Sequence, residues 1–185
     1  MIGRMFWIVT ALFAGIAAHL ATVLYWPSIT FDHKLGFLAS GHKPNSFFLM
    51  APETPVGLLP TAATQDIIGL CVLNLAKGKV VINAHVPQSF WTFTIYDSAG
   101  QQIYTINDVE AGADSFTVEL TKAKGVLEQV RGKQDPDDVG KIQNVGWHAE
   151  VTGEKALAVL WLPVPDPNQR KTLEDVLNKT ICSGG

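Results

Sequence analysis

No charged side chain occurs from Met5 to Trp26 in this chain of 185 residues. That gap excludes an ordinary surface helix, whose outward face needs polar residues. Cysteine is scarce as well. Cys71 and Cys182 are the two present, too far apart for the C-x-x-C spacing of metal and thiol–disulfide sites. The five histidines form no HxH, HExxH or HxxxH spacing, so no metal site and no cofactor are expected. Neither a G-x-S-x-G elbow nor a phosphate-cradling G-x-x-x-x-G-K-[ST] loop occurs. A basic excess is also lacking. The 14 Lys+Arg less Arg4, against 17 Asp+Glu, leave the part beyond Pro27 with a formal charge of −4, which argues against nucleic acid as a partner.

The uncharged run reads as a transmembrane helix over residues 5–26. At about 1.5 Å per residue, Trp7 to Trp26 spans roughly 28 Å, close to the hydrocarbon thickness of a bilayer. Trp7 at one end and Tyr25–Trp26 at the other suit the two interfaces. Pro27 is expected to stop the helix, because its ring removes a backbone donor and clashes with the preceding turn. A cleaved signal peptide is the alternative, with Gly15-Ile16-Ala17 as a small-residue cleavage site. The apolar run continues to Trp26, which is long for a signal sequence and favours an anchor. Arg4 and the α-amino group before the helix put the short leading tail in the cytoplasm. The rest of the chain would then lie outside, in the periplasm of a bacterium, with the bilayer itself as a partner.

One face of this helix gathers small residues. Ala11, Gly15, Ala18 and Thr22 align along it, and His19 borders it. Small residues let a second helix approach closely, and a histidine inside a span is costly unless it meets protein or water. The face therefore reads either as a docking surface for another membrane protein or as part of a plain anchor, since Gly and Ala are common in membrane helices.

After the span, residues 27–60 form a lead-in punctuated by Pro, Gly and Ser, expected to run as extended chain, with Phe47–Met50 as a short apolar piece. Residues 61–185 read as a β-rich domain, and the roughly 158 residues past Pro27 suffice for one core. Ile67–Leu73 is nearly all apolar and reads as a buried strand. Lys79–His85 follows, with Ala76-Lys77-Gly78 as a hairpin-like turn. Over Trp91–Tyr96 the pattern has period two: Trp91, Phe93 and Ile95 face one way, Thr92, Thr94 and Tyr96 the other. Asp97–Gly100 reads as a turn, and Gln102–Asn107 as the returning strand. Ser115–Leu120 and Ala156–Leu162 add two more. The fold class is thus mainly β within α+β: an antiparallel sheet or sandwich with a C-terminal packing helix, preceded by one transmembrane helix. A short helix is expected over Lys122–Arg131 and a polar loop over Gly132–Gly146. In the last helix Asp166 caps, Pro167 takes the first turn, Gln169 completes a capping box, and Leu173, Val176, Leu177 and Ile181 share one face. An oxidising compartment would favour a Cys71–Cys182 disulfide over two free thiols.

The stretch Pro87–Asp108 resembles the core motif of a bacterial family known as domain of unknown function 1254. Phe90-Trp91 and Ile95-Tyr96-Asp97 match its FW-x-x-x-(I/L)-Y-D pattern, and Asn107-Asp108 its Asn-Asp. Trp26-Pro27-Ser28, His19, Cys71, Val164–Pro167 and Cys182 match further elements of its small members. The Gly132–Gly146 loop is longer than that pattern. The resemblance implies a location and a fold, and the family carries no established activity.

Local chemistry is sparse. Asp97 and Asp108 sit at opposite ends of one expected hairpin, about 20 Å apart at about 3.3 Å per residue, too far to act as an acid–base pair. Turn formation at Asp97 and strand ending at Asn107-Asp108 account for these residues. His85 and His148 are weak ligand-pocket candidates, His85 meeting Asn107 only if their strands are neighbours. The aromatic residues Phe90, Trp91, Phe93, Tyr96, Tyr104 and Trp147 read mostly as core, with an exposed ligand-binding face as the alternative. The leading expectation is a non-catalytic, single-pass envelope protein that binds a partner or ligand. The alternatives are an enzyme acting on an envelope glycan or lipid, and an accessory subunit of a larger inner-membrane complex.

Overall fold

The computed structural model describes residues 2–51, 65–123 and 146–184. Helix α1 (Ile2–Ala39) comes first, then β1 (Phe47–Leu49), β2 (Ile67–Asn74), β3 (Val80–His85), β4 (Thr92–Tyr96) and β5 (Gln102–Asn107). A one-turn helix α2 (Asp108–Ala111) leads to β6 (Ser115–Lys122), β7 (Trp147–Val151) and β8 (Lys155–Leu162). A 3-10 turn (Pro167–Gln169), helix α3 (Arg170–Leu177) and β9 (Ile181–Gly184) complete the order. The strands form two sheets, β1-β2-β8-β4-β5 and β7-β6-β3-β9. All pairings are antiparallel except β6 with β7, which is parallel.

The sheets pack face to face as a sandwich. Trp91, Phe93 and Ile95 point inward with Ile67, Leu73, Val80, Ile82, Phe116, Val118, Leu160 and Leu162. Trp91 stacks on Phe116 with ring centroids 5.1 Å apart, and Phe93 meets the same ring edge-on. The period-two pattern of β4 is therefore realised as read. Cys71 of β2 and Cys182 of β9 face each other from opposite sheets as a disulfide, their Cα atoms 6.7 Å apart.

Strand β2 is buried on both faces over Ile67–Leu73, and β8 over Ala156–Leu160. Their inner residues enter the sandwich core. Their outer residues Ile68, Leu70, Val72, Leu157 and Val159 form a second apolar cluster with Leu35 of α1. Phe31, Leu38 and Ala39 of the same helix pack against it. An apolar strand without alternation needs a cover on each side, and the last turns of α1 supply the second cover.

This corrects the expectation that Pro27 stops the helix and that an extended lead-in starts there. Pro27 lies inside α1. An interior proline costs about 3 kcal/mol through its lost hydrogen bond and ring clash. Fully burying a large apolar side chain stabilises by about 1.5–3 kcal/mol, so buried Leu35 with partly buried Phe31 and Leu38 offsets a cost of that size. In the following turn the Thr30 hydroxyl donates to the Trp26 carbonyl at 2.7 Å.

Three further expectations change. Ala76–Gly78 is not a hairpin turn: β2 pairs with β1 and β8, β3 with β6 and β9, so the turn crosses from one sheet to the other. The C-terminal helix ends at Leu177, and Ile181 opens β9 with its side chain exposed. Cys182 is thus delivered by an edge strand paired to β3, not by a helix. Asp166 does cap, accepting from the Asn168 amide at 2.9 Å, but Gln169 makes no capping bond. Leu173 and Leu177 face the core, Leu177 with no exposed surface. The helix expected over Lys122–Arg131 and the loop over Gly132–Gly146 lie outside the described residues except at their ends, where Lys122 closes β6.

Candidate functional site

The most elaborated feature is the junction between α1 and the sandwich. From Met5 to Ile29 the large apolar side chains of α1 are exposed, and the helix is long and apolar enough to cross a membrane. Two residues after Ile29 the contacts begin. The Phe31 ring lies 6.4 Å from that of Tyr96 and against the backbone of Gly100, which takes φ +78° in the β4–β5 turn. A Cβ at Gly100 would crowd that ring as well as strain the turn. Asp32 Oδ1 accepts from Lys155 Nζ at 2.7 Å. One turn on, Leu35 is only 2% exposed. Phe31, Leu35 and Leu38 follow helical spacing, a signal that continues past Pro27 and opposes the helix-breaking preference of the proline.

The Lys155 hydrogen bond and charge hold the Asp32 carboxyl below the ordinary carboxylate range. A lowered folded-state value stabilises the fold above the unfolded value, and the contribution is lost as pH falls through the folded one. Asp32→Asn should therefore cost little at pH 7, at most about 1 kcal/mol for so exposed a pair. Wild type should lose that margin below about pH 4. Thermal unfolding of both proteins at pH 7 and pH 3 checks this; a variant gap that widens in acid would contradict the pairing.

The small-residue face carries Ala11, Gly15, Ala18, His19 and Thr22 along the exposed part of α1. A Cβ at Gly15 meets nothing within 4 Å. The Thr22 hydroxyl donates to the Ala18 carbonyl at 2.9 Å, so its polarity is met within the helix.

The motif residues Phe90–Asp108 divide by role. Trp91 is core. Tyr96 lies on the outer face of its sheet, against α1. Asp97 is 5% exposed, and its Oδ1 accepts from the Ala99 and Gln101 amides at 2.9 Å each, which builds the β4–β5 turn. Asn107 Oδ1 accepts from the Glu110 amide at 3.0 Å and caps α2. Asp108 opens α2 with Oδ1 shielded and without a hydrogen-bond partner among the described residues. Phe90 stays half exposed, edge-on to Trp161, whose indole donates to Asp66 at 2.8 Å. Burial pushes the Tyr104 phenol up, and the Glu110 carboxylate adds to the shift.

His85 and His148 do not meet. His85 ends β3, where its backbone amide donates to the buried Thr180 hydroxyl at 3.0 Å. His148 lies on the outer face of β7, its ring 3.2 Å from the Thr121 hydroxyl. The register sets His148 beside Glu119 and Glu119 beside Val81, so the two histidines are two strands and four residues apart, roughly 16 Å. Asn107 belongs to the other sheet. Among the described residues no three of His, Cys, Asp and Glu cluster as metal ligands.

Neither protein-family models nor curated proteins match the chain. Solved structures do. The VPA0106 protein from Vibrio parahaemolyticus is similar over 89% of this chain, with a TM-score of 0.59 and 12% identity. A putative uncharacterized protein from Burkholderia cenocepacia aligns over 74% of this chain at 8% identity, with a TM-score of 0.44. The chain spans 37% and 36% of their respective lengths. At such identity the Vibrio likeness concerns the fold alone: a mainly β sandwich of this type occurs within a longer protein.

Proposed function

We propose that the protein is a non-catalytic, single-pass protein of the bacterial inner membrane, related to the domain of unknown function 1254 family. Its amino terminus lies in the cytoplasm and its sandwich in the periplasm. The observation that carries this reading is the division of labour along α1. One part is exposed and apolar, and the next is built into the domain without a break. The Cys71–Cys182 pair supports an oxidising compartment. The motif polar groups support a non-catalytic role, because Asp97 and Asn107 are committed to a turn and a cap. In this reading the Ala11–Gly15–Ala18–Thr22 face docks a second membrane protein. Replacing residues 5–26 with a polyleucine span should abolish stoichiometric co-purification of that partner from detergent. Recovery equal to wild type would overturn the docking role.

A further inference from the structure

We propose that one end of the sandwich seats on the phospholipid headgroups of the bilayer that α1 spans, with Lys77 offering its ammonium to lipid phosphates. The inference rests on the membrane-spanning reading of α1. Among the described residues three turns lie at this end, Leu75–Lys79, Asp97–Gln101 and Thr152–Glu154, with Asn45 and Ala123 beside them. The Leu75 amide donates to the Glu154 carbonyl at 2.8 Å, and the Ser98 hydroxyl donates to the Thr152 carbonyl at 3.3 Å. The register pairs Asn74 with Lys155. Lys155 in turn is bonded to Asp32, and Gly100 lies against Phe31.

Those contacts set the height of the turns. From Trp26 to Asp32 the helix rises roughly 9 Å, and a headgroup layer is about 5–8 Å thick per leaflet. Asp32 therefore lies at the outer edge of that layer, and with it lie the Asp97–Gln101 turn, which touches Phe31, and the start of β8, which holds Asp32 through Lys155 and carries the Leu75–Lys79 turn through the Leu75–Glu154 bond. The docked helix keeps this end from swinging away, because Leu35 and Leu38 hold α1 along the sheet for two more turns.

Charge fits the assignment. Three ion pairs lie here, Lys79–Glu119, Lys122–Glu154 and Lys155–Asp32; of the other acids at this end, Asp97 is buried and bonded to its own turn's amides, and Glu150 is exposed on β7. Exposed Lys77, at the tip of its turn, forms no ion pair among the described residues. Acidic residues accumulate at the opposite end, where Asp108, Glu110, Asp114 and Asp166 lie. An anionic leaflet attracts a juxtamembrane lysine and repels such a cluster.

The test uses the full chain in nanodiscs that contain phosphatidylglycerol. A nitroxide is placed at Ala76→Cys or, at the other end, at Val109→Cys; the native cysteines are paired. A nickel-chelating headgroup lipid should relax the label at position 76 severalfold more than the label at 109. Equal relaxation in a chain that co-elutes with the disc overturns the seating alone. A chain that fails to co-elute overturns the membrane reading and the seating with it. For Lys77, acetylation followed by mass spectrometry should be about fivefold slower in phosphatidylglycerol discs than in phosphatidylcholine discs, the factor one lysine's attraction to an anionic surface supplies. Equal rates would remove Lys77 from the contact, as would the same slowing at Lys171.

Discussion

A chain that begins at Thr30 should be a soluble monomer, whereas one that begins at Gly41 should aggregate. The two fragments differ by the last turns of α1. The longer keeps Phe31, Leu35 and Leu38 on the outer face of the first sheet and discards the exposed span. The shorter uncovers Ile68, Leu70, Val72, Leu157 and Val159 as one contiguous patch. Monomeric proteins seldom tolerate such a patch beyond a few hundred Å². The loss of Leu35 alone removes about 1.5–3 kcal/mol of burial, and Phe31 and Leu38 add to it. Size-exclusion chromatography with light scattering reads the difference directly. A monodisperse fragment from Gly41, with the urea midpoint of the longer one, would show that the helix merely rests on the sheet.

The second large effect concerns the disulfide. Cys71 and Cys182 close a loop across 111 positions, for which chain entropy gives about 4–5 kcal/mol. Strand β9 has only four residues, and its register with β3 is short, so few other contacts hold the end of the chain. Cys71→Ala with Cys182→Ala should lower the urea midpoint by about 2 M, given a slope near 2 kcal/mol/M for a domain of this size. Exposed Ile181 and Ser183 should then lose hydrogen-exchange protection before the core strands do. An unchanged midpoint in the double variant would mean that the oxidised pair contributes nothing to the fold.

Much of the fold was readable from local pattern. The alternation over Trp91–Tyr96 gave the inward and outward faces of β4 correctly, because a strand has period two and one of its faces meets the core. The nearly unbroken apolar run Ile67–Leu73 reads as a buried strand, and β2 is buried on both faces because α1 covers the outer one. Asp97 and Asn107 read as turn and terminus residues from their own chemistry, and both are satisfied locally. At Pro27, the Ala76–Gly78 turn and Ile181 the neighbours in sequence point one way and distant partners decide otherwise. Pro27 stays helical because a sheet assembled from β1, β2, β8 and β4 offers its outer face to the residues that follow. The same short turn can close a hairpin or cross between sheets, and only strand pairing distinguishes the two. Ile181 satisfies the helical period but lies in an edge strand, since β3 presents an open edge where the chain passes.

The candidate site divides in the same way. An uncharged run long enough to span a bilayer, the aromatic residues at its ends and its small-residue face follow from sequence, since the run needs only its own hydrogen bonds and its own surface. Where the domain stands relative to that run does not. The ion pair of Asp32 with Lys155 joins residues 123 positions apart, and the fit of Phe31 against Gly100 depends on a turn in another part of the chain. Composition and periodicity determined that the chain carries a β-rich domain on an apolar helix, because burial and backbone hydrogen bonding are local demands. Which face the helix covers, and which end of the sandwich lies beside its exposed apolar part, was decided by tertiary packing, because those choices compare surfaces that exist only once the sheets have formed.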